Sequence, residues 1–178
     1  MVQRLKKLNK CRHVASFAGW NYARCPVLRA LGNHMNHLPS AKTGMTDDIR
    51  RKVLRICTER GLAGAANNTK WDKLVSAIRN MDEWRPSYRC KVIDGGISSW
   101  DTEWFYHLPF PLIYIEWLDI GMHQETNIGR LAKPKVTDHS EWIIPLIENT
   151  GFEYQVSGDI MRVFAYLPKN LEDFPPSA

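Results

Sequence analysis

The chain has 178 residues, 44% of them hydrophobic, and carries Lys+Arg 24 against Asp+Glu 19 for a formal charge of +5, which suits one domain with an ordinary core and excludes two large ones. No apolar run approaches the roughly 20 residues that a membrane-spanning helix needs, so a cytoplasmic location is expected. The charge is also segregated, with 13 Lys+Arg and 3 Asp+Glu in residues 1–66 against 11 and 16 in residues 67–178, so the whole-chain surplus does not make the domain itself a nucleic-acid binder.

From Met1 to Thr46 there is no acidic residue, and the scattered Arg and Lys residues keep no helical or strand period. This stretch reads in three ways: a basic arm for nucleic acid or membrane, an organelle-type targeting peptide, or a disordered extension with Met45 as the native start. The expected organisation is a basic extension over residues 1–45, disordered or not native, one domain over 46–170, and a frayed tail over 171–178. Cys11, Cys25, Cys57 and Cys90 contain no Cys-x-x-Cys pair, and His34-x-x-His37 lies too far from a thiol pair to form a finger. The sequence therefore asks for neither a metal nor a cofactor, and the thiols read as reduced.

Thr46 before Asp47 and Asp48 predicts a helix start, where a hydroxyl and two carboxylates meet orphan amides and the positive dipole end. Ile49, Val53, Ile56 and Cys57 follow at helical spacing, and Gly61 predicts the C-cap. Thr69 and Asp72 suggest a capping box for a second helix, with Trp71, Leu74, Val75, Ile78 and Met81 as its inward stripe. Tyr88, Cys90 and Val92 alternate with Arg89 and Lys91, the period of a half-buried strand ending at Gly95-Gly96.

Further strands are predicted over 103–108 and 112–120, joined by Pro109-Phe110-Pro111, and residues 121–139 read as a long loop. Ser140 predicts a helix over 141–149, short or kinked at Pro145 and capped by Gly151. Residues 152–156 and 160–167 flank Ser157-Gly158-Asp159, the signature of a closing hairpin. The expected order is ααβββαββ: an α+β domain with an antiparallel sheet of about five strands packed against two or three helices.

On a strand over 103–108, Glu103, Phe105 and His107 would share one face, and Trp104, Tyr106 and Leu108 the other. Asp101, Glu103, His107 and Glu116 are then the candidate acid/base residues for a hydrolase. Against that reading stands the plain one, in which the carboxylates edge the sheet in water. No nucleophile elbow, phosphate loop or nuclease triplet accompanies them, which weighs against an enzyme. The aromatic residues Trp100, Trp104, Tyr106 and Trp117 are the candidate binding residues. They could stack on single-stranded nucleic acid, but an acidic domain suits a basic protein partner better.

The words Asn67-Asn68-Thr69-Lys70-Trp71, Trp84-Arg85-Pro86, Glu103-Trp104-Phe105-Tyr106-His107 and Ile115-Glu116-Trp117, together with 162–168, resemble a bacterial family defined only as a domain of unknown function, over about residues 46–170. The resemblance carries no activity. The function expected is macromolecule binding, chiefly protein binding, in the manner of a small immunity or antitoxin-like factor. The alternatives are the hydrolase, and nucleic-acid binding through the basic N-terminal region.

Overall fold

In the computed structural model the described residues are 38–175; residues 1–37 of the basic stretch, with Cys11, Cys25, His34 and His37, lie outside them. Helix α1, Asp47–Arg60, starts where expected: the Thr46 hydroxyl accepts the Ile49 amide, and Gly61 closes it at φ 64. That left-handed geometry costs little only without a Cβ. After the short strand β1, Ala63–Gly64, comes α2, Asn68–Arg79. Its cap is Asn67, which accepts the Lys70 amide, and not Thr69. Asp72 is taken instead by the Ala41 amide, at 2.7 Å.

Three antiparallel sheets are present among the described residues, and the α+β class holds. The main sheet has four strands in the order β2-β3-β7-β6: Tyr88–Val92, Ile115–Gly121, Ile160–Phe164 and Glu153–Ser157. β4, His123–Thr126, and β5, Lys135–Asp138, form a separate hairpin, and β8, Tyr166–Leu167, pairs with β1. Helix α3 spans Ser140–Thr150, with the Asp138 carboxylate accepting both the Ser140 amide and hydroxyl.

Four expectations are corrected. Residues 103–108 form turns and bends, not a strand. The segment from Leu112 begins as a 3₁₀ turn, Leu112–Tyr114, before β3. Part of the loop expected over 121–139 is the β4–β5 hairpin, whose mostly exposed residues gave no apolar alternation. The tail is not frayed through 174, because Asn170, Glu172 and Asp173 supply acceptors to buried arginines.

One face of the main sheet carries Tyr88, Cys90, Leu118, Ile120, Met161 and Val163 into a core shared with Trp71, Leu74, Ile78, Ile143 and Ile147 of the helices. Each such side chain contributes about 1.5–3 kcal/mol when removed from water. The packing reaches upstream of Thr46: Ala41 is buried, and its carbonyl accepts the Leu112 amide at 3.0 Å. The opposite face is charged.

Candidate functional site

The charged face follows from register. Arg89 lies opposite Asp119, Asp119 opposite Arg162, and Arg162 opposite Gln155, so one row alternates in charge over three strands and ends on a neutral amide on the fourth. Cross-strand neighbours of opposite sign attract. The Asp119 carboxylate accepts Arg162 Nε at 2.6 Å, Arg162 Nη2 at 2.8 Å and Arg89 Nε at 3.0 Å. Asp119 and Arg162 are wholly buried. Dehydrating both ions is repaid only when their remaining donors and lone pairs also find partners.

The C-terminal segment supplies those partners. Arg162 Nη1 donates to the carbonyls of Glu172 at 2.7 Å and Asn170 at 3.1 Å. Arg89 donates to both the carboxylate and the carbonyl of Asp173, at 2.6 and 2.8 Å. Asp173 presents both from a left-handed φ of 54, a conformation that aspartate tolerates better than most residues. Lys91 pairs with Glu172. Between the guanidinium groups lie rings: Arg89 Cζ is 5.4 and 5.7 Å from the Trp100 and Trp117 centroids, and Arg162 Cζ is 3.5 and 4.7 Å from those of Trp117 and Phe174. The result is a ladder, Trp100, Arg89, Trp117, Arg162, Phe174, that runs from an exposed indole to the tail.

Glu116, one of the four acid/base candidates, stands where the β2–β3 register shifts between Ile115 and Trp117. Its carboxylate receives both Arg60 Nη atoms at 2.8 Å and Asn170 Nδ2 at 2.7 Å. Burial pushes this carboxyl up, but the Arg60 and Asn170 hydrogen bonds and the Arg60 and Lys91 charges outweigh burial and leave it below its usual range.

The other three acid/base candidates meet on the irregular segment 94–109. Asp101 Oδ2 lies 2.7 Å from His107 Nδ1, while its Oδ1 accepts the amides of Thr102 and Glu103 at 2.7 and 2.9 Å. These backbone bonds, then His107, hold the Asp101 carboxyl low. Glu103 accepts the amides of Phe105, Tyr106 and His107 at 2.9, 2.7 and 2.9 Å. Its partial burial raises the carboxyl, and the three amides overcome that and lower it. Asp101 and Glu103 thus shape the loop, which is why Glu103, Phe105 and His107 do not line up as strand residues.

Beside the dyad opens a cavity of about 340 Å³ lined by Cys90, Val92, Ile97, Ser98, Ser99, Asp101, His107 and Pro109 among others. The Cys90 thiol is pushed up by burial, with Ser98 opposing, which removes thiolate character. Glu116 does not line this cavity.

The four candidate binding rings part company. Trp104 is core, with Nε1 donating to the Pro86 carbonyl at 2.8 Å and its ring tilted against Tyr88 at 4.6 Å. Trp117 is buried in the ladder, its Nε1 without an acceptor. Trp100 and Tyr106 are 40% and 64% exposed. Beneath them Arg79, which periodicity alone did not single out, donates to the carbonyls of Trp104, Phe105 and Pro39 at 2.8, 2.8 and 2.7 Å. It clamps the loop and the upstream segment to α2. The available signal was an arginine on the apolar stripe of that helix, one residue after Ile78.

Among the described residues, no group of three or more His, Cys, Asp and Glu side chains is placed to hold a metal ion, and no helix is long and apolar enough to cross a membrane. A family model described as "Family of unknown function (DUF6678)" matches residues 53–170, and the chain belongs to that family. No curated protein and no solved structure matches it.

Proposed function

We propose that this member of the DUF6678 family is a protein-binding module of the bacterial cytoplasm, of the immunity or antitoxin kind, and that it meets its partner through segment 94–109. One observation carries the reading: Ile97, Trp100 and Tyr106 are exposed on a loop whose backbone is fixed from within by Asp101, Glu103 and Arg79. A rigid loop loses little entropy on binding, and exposed Trp and Tyr make effective hot spots around a pocket that receives an apolar side chain. The cavity beside Ile97 and Pro109 is such a pocket. Asp101, which lines it, favours a basic segment. Cys57 and Cys90 are unpaired thiols, which suits a reducing compartment.

The test is an array of lysine-rich peptides with and without one aromatic or aliphatic anchor, probed with the full chain. Anchor-bearing peptides are expected to bind, and Trp100→Ala and Tyr106→Ala each to weaken binding about ten-fold or more. Binding that ignores both substitutions, in variants that melt like the parent, would sink the proposal.

A second reading is a hydrolase, favoured by the Asp101–His107 contact beside a cavity lined by Ser98 and Ser99. A carboxylate on Nδ1 orients Nε2 as a general base. Glu103 and Glu116 drop out of that chemistry, since backbone amides and Arg60 occupy them. Hydrolysis of activated esters that His107→Asn abolishes would support this reading. Absence of hydrolysis across an ester and amide panel would end it.

A further inference from the structure

We propose that the charged face of the four-stranded sheet is a recognition groove for a partner protein's acidic-aromatic segment, of the Glu-Asp-aromatic type, and that the chain's own Asn170–Phe174 fills it in cis. The groove adjoins the 94–109 surface at Trp100, whose ring lies 5.4 Å from Arg89 Cζ, but it takes the opposite charge, and the inference does not rest on that reading.

Charge is the first argument. Without Asn170–Phe174, the face offers Arg60, Arg89, Lys91 and Arg162 against Glu116 and Asp119, with Glu153 neutralised by Lys169, a surplus of two positive charges. Glu172 and Asp173 cancel it. The tail therefore behaves as a ligand matched to a cationic site, rather than as a strand or helix that the fold demands.

The manner of contact is the second. Arg162 and Arg89 receive the backbone carbonyls of Asn170, Glu172 and Asp173, Asp173 adds its carboxylate, and the Phe174 ring lies over Arg162. Backbone acceptors together with acidic and aromatic side chains can be supplied by many extended segments, as in other modes of peptide recognition. The groove also keeps a donor that the tail does not use, because Trp117 Nε1 is buried with no acceptor. A segment that brings one more carbonyl to that indole would hold better than the tail does.

Third, the segment is built to yield. Residues 168–174 belong to no helix or strand; the Phe174 amide closes a turn on the Leu171 carbonyl, and Asn170 on Glu116 and Lys169 on Glu153 add to the contacts just named, and segments held in this way open at lower cost than core strands.

The test uses the full-length chain with Glu172→Lys and Asp173→Lys, whose tail is repelled from the groove. A fluorescein-labelled peptide of residues 168–178 is titrated into this variant and into the parent. The variant is expected to bind about ten-fold more tightly, because the parent's tail competes at high local concentration. Adding Arg89→Ala should reverse the gain, and a peptide with both acids changed to lysine should not bind. Equal binding by parent and variant, or none by a variant that keeps the parent's circular dichroism and cooperative melt, would overturn the proposal. So would concentration-dependent dimers dispersed by free peptide, which would make the occupant a second copy's tail. Should the double variant not fold, Phe174→Ala takes its place and is read in the same way.

Discussion

The guanidinium of Arg162 lies 3.5 Å from the centre of the Trp117 ring while donating two hydrogen bonds to Asp119, and all three side chains are fully buried. A charged pair at this depth holds together only because each member answers the other's lost hydration. Removing one half should therefore cost more than removing both. Arg162→Met is expected to destabilise the fold by about 3–5 kcal/mol. Adding Asp119→Leu should restore much of that loss, with Arg89 still held by Asp173. Urea unfolding of parent, single and double variants measures both steps, and a double variant no more stable than Arg162→Met would contradict the pairing argument.

Arg79 has no carboxylate bound to it; its guanidinium is spent on three carbonyls, and burial pushes its pKa down. Lysine keeps the charge but not the planar fork that reaches all three. Arg79→Lys is expected to cost about 2–3 kcal/mol and to raise hydrogen exchange at Ala41 and at Phe105–His107, while β7 stays protected. Exchange that rises evenly over the whole domain would show that Arg79 is not a local clamp.

These two arginines mark where the sequence was readable and where it was not. Thr46, Gly61 and Ser157-Gly158-Asp159 act through their own chain neighbours, so a local pattern suffices to place them. Glu103 acts locally too, but its turn-forming bonds run to amides two to four residues on and override the apparent strand alternation. Arg79 and Arg162 bind groups many residues away, and no single-window period contains such information. Arg89 did sit at a polar position of an alternating strand, whereas Asp119 and Arg162 lie on strands buried along their whole length. Their mutual neutralisation became visible only with the strand register.

Acid should loosen the loop and the Arg60 pair together. Asp101, Glu103 and Glu116 have folded pKa values below their ordinary 3.8, 4.5 and 4.5. The unfolded chain therefore takes up protons first. The stabilisation is complete above those ordinary values, and is lost as pH falls below about 4.5 through the folded ones. Asp101 is partly solvated, so its share is small. Urea midpoints at neutral pH and at pH values on either side of this window should fall on acidification, and fall less steeply in Asp101→Asn combined with Glu103→Gln. An unchanged steepness would assign the acid response to other groups.

Pro145 sits inside α3, yet the helix continues through it to Thr150 and is closed by Gly151 at φ 75. Proline cannot donate to the carbonyl one turn back, and its ring crowds that turn. The helix survives because Ile143 and Ile147 are buried on the core side and Asp138 secures its first turn, so tertiary packing offsets a poor local residue. The Pro145 side chain itself is exposed. Replacing it with alanine should thus restore a backbone hydrogen bond without opening a cavity, and the lost rigidity of the unfolded chain takes back only part of the gain. Pro145→Ala is expected to stabilise the domain by about 1–2 kcal/mol, read as a higher urea midpoint with an unchanged slope. A lower midpoint would mean that Pro145 is required to seat Trp142 and Ile143 against the core.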